Sequence, residues 1–247
     1  NYNLKETLKS INASKNWEFN VAWIDTSSNI NVLGRSILTR GYFLKKRKRE
    51  LFFSKDKYSI KSLPNIFPSF LMNSFIIKLL NFIYFLSSKS EKKKTSINKF
   101  FYPLDKVSKW NYLYGRKGFI SYQCCVPLKN SYRSIFQILK ILKENRVYSF
   151  VSVLKSMKKE KTLLSFGQKG FTLVFDFPIY KNIFKVLNQI DDVVLEYKGK
   201  VYLNKDSRIK QKNFYRINKE FKNKEFINFR KKINYFFKSI QSERLGI

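Results

Sequence analysis

The stretch FISYQCCVPLKNSYRSIFQILKILKE (residues 119–144) and its counterpart FTLVFDFPIYKNIFKVLNQIDDVVLEYKG (171–199) decide the fold. In the first, Phe119, Ser121, Gln123 and Cys125 share one face of a strand that runs from Phe119 to Val126 and stops at Pro127. The period then changes. Ile135, Ile138, Leu139 and Leu142 recur at helical spacing from Ser131 to Glu144, with Asn130 in the capping position. The second stretch repeats the change. Phe171, Leu173, Phe175 and Phe177 line one face of a strand, with Thr172, Val174 and Asp176 on the other. A helix from Lys181 to about Tyr197 follows, with Ile183, Val186, Leu187, Ile190 and Val194 inward and Gly199 at its stop.

Two more strands complete the pattern, Tyr148 to Lys155 and Lys200 to Asn204. The order is β-α-β-β-α-β, a split βαβ arrangement in an antiparallel sheet with helices on one face, so the predicted fold class is α+β. Upstream, Phe19 to Asp25 and Arg35 to Phe43 read as strands joined through Ser27, Ser28 and Asn29, a hairpin-like start. Downstream, Asn213 to Ile240 is helical in character, with Phe226, Phe229, Ile233 and Phe237 along one side.

Between the hairpin and the core, charges crowd from Lys45 to Lys61, and Pro64 and Pro68 precede the most apolar stretch, Phe70 to Leu86. A membrane span needs about 20 apolar residues; this stretch is shorter and contains Asn73, Lys78 and Asn81. It reads as a helix that either completes the core or meets a membrane or a lipid-linked substrate. Ser87 to Asn98 reads as a mobile polar loop.

The 247 residues, 44% of them hydrophobic, suffice for a real core. A net charge of +33 would suit a polyanionic partner. Lys, Asn, Ile, Phe and Tyr are abundant together, however, as expected of an AT-rich coding sequence, so a solvated basic surface is the favoured reading and nucleic acid the disfavoured one. No histidine is present, which removes His-based triads, metal sites and the commonest general base. Proton transfer falls to Lys, Tyr, Asp or Glu. Cys124 and Cys125 are adjacent, unsuited to an ordinary disulfide or a zinc site, and point to a reducing compartment. No GxGxxG, Walker A, GxSxG or HExxH motif occurs. Ser121, Gln123, Lys155, Thr172 and Asp176 interrupt apolar strands; they line a polar pocket or form the ordinary solvent face of an antiparallel sheet. A start at Asn1 with no leader is expected of a chain that begins inside a longer protein.

Five strings in consistent order narrow these choices: FNVAWID (19–25), GRSILTRG (34–41), FYPLDKVSKWNYLYGRKGFISYQCCVP (101–127), LSFGQKGFTLVFDFP (164–178) and VYLNKDSR (201–208). Together they resemble the decaprenylphosphoryl-β-D-ribose 2′-oxidase group of flavin-linked oxidases, within the vanillyl-alcohol oxidase fold family. That resemblance implies an FAD-dependent oxidoreductase that takes the C2 hydroxyl of a lipid-phosphate-linked sugar to a ketone, with a reductase partner completing epimerisation. It implies residues 1–199 as a substrate-binding cap and 200–247 as a segment completing a flavin domain whose FAD-binding N-terminal part is absent from this chain, so that the chain alone is inactive. By motif, Gln123 and Lys155 match positions that contact sugar or phosphate. Thr172 and Val174 stand where Asn and Cys are commoner, and Ser121 replaces a common Gln. Tyr202 and Lys205 match positions beside the flavin, with Lys205 in the catalytic role. The implied location is cytoplasmic, peripheral to the inner membrane. A sugar-lactone or 2-hydroxy-acid oxidase on the same scaffold and a basic nucleic-acid-binding module are the alternatives.

Overall fold

The computed structural model describes residues 1–44, 61–63, 68–218, 225–233 and 236–247. Strands β1 (Phe19–Ile24), β2 (Ser36–Gly41), β5 (Phe119–Pro127), β6 (Val151–Met157), β7 (Gly170–Pro178) and β8 (Lys200–Val201) form one sheet in the order β2-β1-β6-β7-β5-β8. Every neighbouring pair is antiparallel, and β3 (Lys61–Ser62) and β4 (Val107–Ser108) make a separate small pair. The predicted split βαβ unit is present as β5-α4-β6-β7-α5-β8, with α4 at Ser131–Glu144 and α5 at Ile183–Glu196. The hairpin β1-β2 extends the same sheet beyond β6.

The alternation in β5 and β7 determines which face is covered. Ile120, Tyr122, Cys124 and Val126 join Phe171, Leu173, Phe175 and Phe177 in a single core with the apolar stripes of α4 and α5. Burying each large side chain of this kind contributes about 1.5–3 kcal/mol, so the register Tyr122↔Phe175 and Cys124↔Leu173 is strongly specified.

One element escaped the sequence reading. Helix α1 (Leu4–Ala13) packs Leu4, Leu8 and Ile11 into this core. Its signal is Asn3 followed by Glu6: the Asn3 side chain accepts the Glu6 N–H, and the Glu6 carboxylate accepts the Tyr2 N–H.

Other boundaries moved for identifiable reasons. The strand expected from Tyr148 begins at Val151, because the Ser149 N–H and C=O are both bound by the Thr26 hydroxyl and not by a neighbouring strand. The last strand ends early: the Tyr202 N–H donates to the Gln123 carbonyl, after which Leu203–Lys205 turn as a 3-10 helix. Asn130 sits at the start of α4 without a side-chain cap bond. After α5, Lys198 takes the left-handed conformation. Gly199 is needed for a different reason: a Cβ there would lie 2.7 Å from the Cys125 carbonyl oxygen.

The helix expected over Asn213–Ile240 is divided into α6 (Gln211–Ile217), α7 (Glu225–Lys232) and α8 (Ile240–Leu245), with 219–224 and 234–235 outside the described residues. Phe226 packs on the core, but Phe229 and Phe237 are exposed. The aromatic stripe therefore belongs to no single helix face: α7 ends before Phe237, whose carbonyl accepts from Arg230. Phe214, Ile217 and Leu245 make the buried contacts instead.

The apolar stretch before the core also departs from expectation. Phe70 and its neighbours form a short 3-10 turn, and α2 spans Ser74–Ser87. Only Ile77 and Asn81 of α2 are fully buried, so this helix does not complete the core. Asn81 anchors it, donating to Asp25 Oδ1, Ser27 Oγ and the Ser149 carbonyl, while Tyr84 packs edge-on against Trp23. Residues 88–96 carry no regular structure, and α3 (Ile97–Phe101) starts within the segment expected as a loop.

Residues after β8 are tied to α5 by a buried ion pair. Arg208 donates to both carboxylate oxygens of Asp191, 2.8 and 3.0 Å, and to the Leu187 carbonyl; the Tyr122 hydroxyl donates to Asp191 as well. Burial pushes the Asp191 carboxyl up while Arg208 pulls it down. Removing one partner of such a pair leaves an uncompensated charge and costs about 3–5 kcal/mol, whereas replacing both by apolar groups is often nearly neutral. Urea unfolding is expected to show Arg208→Ala destabilised on that scale, with Asp191→Leu/Arg208→Met recovering most of the loss.

Candidate functional site

With helices covering one face of the sheet, the other is left for chemistry. Because side chains alternate, this face carries Ser121 and Gln123 from β5, Thr172, Val174 and Asp176 from β7, and Val153 and Lys155 from β6. The register sets Ser121 opposite Asp176, Gln123 opposite Val174, and Lys155 opposite Thr172. The five sequence-predicted positions on the strands are thus brought together. They differ in exposure: Lys155 is exposed, Ser121, Gln123 and Val174 are half-buried, and Thr172 is 3% exposed.

Hydrogen bonds order the centre. The Gln123 amide donates to the Thr172 hydroxyl at 3.2 Å, and that hydroxyl donates to the Cys124 carbonyl at 3.0 Å. Cys125 lies on the same face but is closed off by Gln168, whose amide donates to the Cys125 carbonyl. Burial pushes the Cys125 thiol up to about 11, so it stays protonated and inert near neutral pH. Both cysteines are free.

Tyr202 and Lys205 reach this face from its β8 edge. The backbone bond from Tyr202 to Gln123 holds the turn against β5, and the Tyr202 ring packs on Phe166 with centroids 4.7 Å apart. The turn is then locked from behind. Asp206 Oδ1 accepts the N–H groups of Arg208 and Ile209, and Asp206 Oδ2 pairs with Arg244 of α8 at 2.8 Å. Lys205 is half-buried, and its charge acts on Asp176.

Asp176, legible on the polar strand face but not among the positions that the resemblance matched by motif, belongs to this arrangement. It is 6% exposed and accepts a hydrogen bond from the Ser121 hydroxyl. Burial raises its pKa, while the Ser121 hydrogen bond and the Lys205 charge oppose the rise. Burial of the Tyr114 ring, and after it the Asp176 charge, push the Tyr114 phenol well up. Tyr114 comes from the segment between β4 and β5 and stacks near Phe119, centroids 4.8 Å apart, giving the Asp176 end of the face an aromatic wall. Nothing in the periodicity of residues 101–118 signals that placement.

The arrangement offers a buried carboxylate, two ammonium groups, an amide and the hydroxyls of Ser121 and Thr172 on one surface. Two shallow, open concavities are present among the described residues, one at Lys161–Leu164 with Glu225 and one between Met72 and Lys181 that is lined in part by Tyr114. The first includes none of the polar strand-face residues, and the second borders only the Asp176 end of that face through Tyr114. Among the described residues, no group of acidic or cysteine side chains could hold a metal ion.

No protein-family profile matches the chain. The chain spans about half the length of the curated relative it matches. Over 221 residues, 86% of this chain and 48% of the relative, it is 30% identical to the decaprenylphosphoryl-beta-D-ribose oxidase of Mycolicibacterium smegmatis, in agreement with the resemblance carried by its five sequence strings.

Proposed function

We propose that this chain is the cap and C-terminal portion of an FAD-dependent oxidoreductase that oxidises a secondary hydroxyl of a lipid-phosphate-linked sugar. The observation that carries the reading is the convergence of Gln123, Lys155, Thr172, Tyr202 and Lys205 on one sheet face beside a buried carboxylate. Similarity to an oxidase of a phosphoryl-ribose lipid supports the same reading. Residues 1–199 serve as the cap and 200–247 as the segment that completes the flavin domain.

The donor set fits a flavin at the β8 edge: an ammonium at Lys205 and an aromatic ring at Tyr202 suit an electron-rich, negatively charging ring system. Tyr202 and Lys205 would hold that edge, and most of the FAD would be bound by residues outside this chain. When bound, FAD supplies the hydride acceptor. The chain's own residues do the rest. Gln123 holds sugar hydroxyls with Thr172 lining the pocket behind it and orienting its amide, Lys155 meets the phosphate from the exposed side, and Val174 gives an apolar wall. Asp176 takes the hydroxyl proton as the C–H hydride leaves, so the alcohol loses two electrons and two hydrogens and becomes a ketone. With no histidine in the chain, Asp176 is the best-placed base on this face.

Two measurements test this in the complete polypeptide loaded with FAD. Lys205→Ala is expected to slow flavin reduction by substrate about 10²–10³-fold, on the scale of a lost electrostatic stabiliser, while thermal unfolding stays unchanged. Unaltered reduction kinetics would refute the role of Lys205. Asp176 must be ionised to accept a proton, and its burial raises its pKa. The reduction rate is therefore expected to fall as pH drops through a value above the usual carboxylate pKa of about 4. Asp176→Asn should lower the rate and abolish that acid limb.

A further inference from the structure

Helix α2 carries its apolar residues on the wrong side for a core helix. Phe75, Leu79, Phe82, Ile83 and Leu86 follow one another at helical spacing, and all are exposed, Phe75 at 75% and Leu86 at 64%. At 100° per residue this stripe centres opposite Ile77 and Asn81, which point into the protein. The helix is held by those two inward contacts and by the edge-on packing of Tyr84 against Trp23, so the outward stripe is not a product of loose packing.

The surroundings of the stripe are basic. Between residues 73 and 96 there are five lysines, Lys78, Lys89, Lys92, Lys93 and Lys94, against one acidic residue, Glu91. All five lysines are exposed. A second copy of a chain with net charge +33 would bring the same lysine run against itself or against other basic surface. The stripe and the lysines together match the two halves of an anionic bilayer surface, acyl chains for the ring and branched side chains and headgroups for the ammonium groups. No helix among the described residues is long and apolar enough to cross a membrane. With 14 residues, α2 is about 21 Å long, suited to lying in the interface plane.

We infer that the outward face of α2 docks on an anionic lipid surface, with Phe75, Leu79 and Leu86 entering the acyl boundary and Lys89 and Lys92–Lys94 meeting the headgroups. This goes beyond the oxidase reading and does not depend on it. The test is cosedimentation of the complete polypeptide with vesicles of phosphatidylcholine alone or mixed in equal parts with phosphatidylglycerol. Neither contains a polyprenyl phosphate, so failure of the oxidase reading would leave this readout untouched.

Wild type is expected to sediment with the mixed vesicles and far less with phosphatidylcholine alone. Phe75→Ser/Leu79→Ser/Leu86→Ser should lose about tenfold or more of that binding, with an unchanged thermal melt because all three side chains are exposed. Changing Lys89, Lys92, Lys93 and Lys94 to Gln should remove the preference for anionic vesicles. The inference is overturned if wild type fails to bind mixed vesicles, if the triple-serine variant binds as well as wild type, or if light scattering shows a dimer that the triple-serine variant dissolves with no vesicle binding by wild type.

Discussion

Burial of one face of the β5–β7 pair under α4 and α5 is the constraint from which the rest follows. Phe171, Leu173, Phe175 and Phe177 alternate with Thr172, Val174 and Asp176, so packing the aromatic row inward forces the polar row outward on the opposite face. Nine residue pairs join β5 to β7; a slip of one residue would put Asp176 and Thr172 under the helices and the phenylalanines in the candidate site. The chemistry of the site and the stability of the core are therefore two sides of one register.

The second dependence is electrostatic. The turn that carries Tyr202 and Lys205 has little regular structure of its own: two ladder residues precede it and a single 3-10 turn contains it. It is held by charge instead, through Arg208 on Asp191 and Arg244 on Asp206. Both carboxylates are almost fully buried as side chains. Such pairs add little net stability, but they admit few alternative geometries, which fixes the turn that carries Lys205.

Asp176 and α2 place polar and apolar groups where packing of the fold alone does not call for them. A carboxylate at 6% exposure is disfavoured unless something nearby uses or compensates it; here Ser121 and Lys205 do so in part. An apolar helix stripe left in water costs free energy in the same way. In α2 the buried positions include an asparagine and the exposed ones are Phe and Leu, the reverse of a core helix.

By itself the sequence determined the α+β class, the β-α-β-β-α-β order, the two faces of β5 and β7, the strand that ends at Lys155, and the strings around Gln123, Thr172 and Lys205, because each is written locally as a period of two or 3.6 or as a continuous motif. Tertiary structure decided what depends on distant partners. It set the start of β6 through Thr26, the division of the C-terminal helices, the inward anchoring of α2 by Asn81, and the effect of the Lys205 charge on Asp176. Residues 26 and 149, 81 and 25, or 176 and 205 carry no periodic relation to one another. These relations exist only once the sheet is assembled, so no local pattern records them.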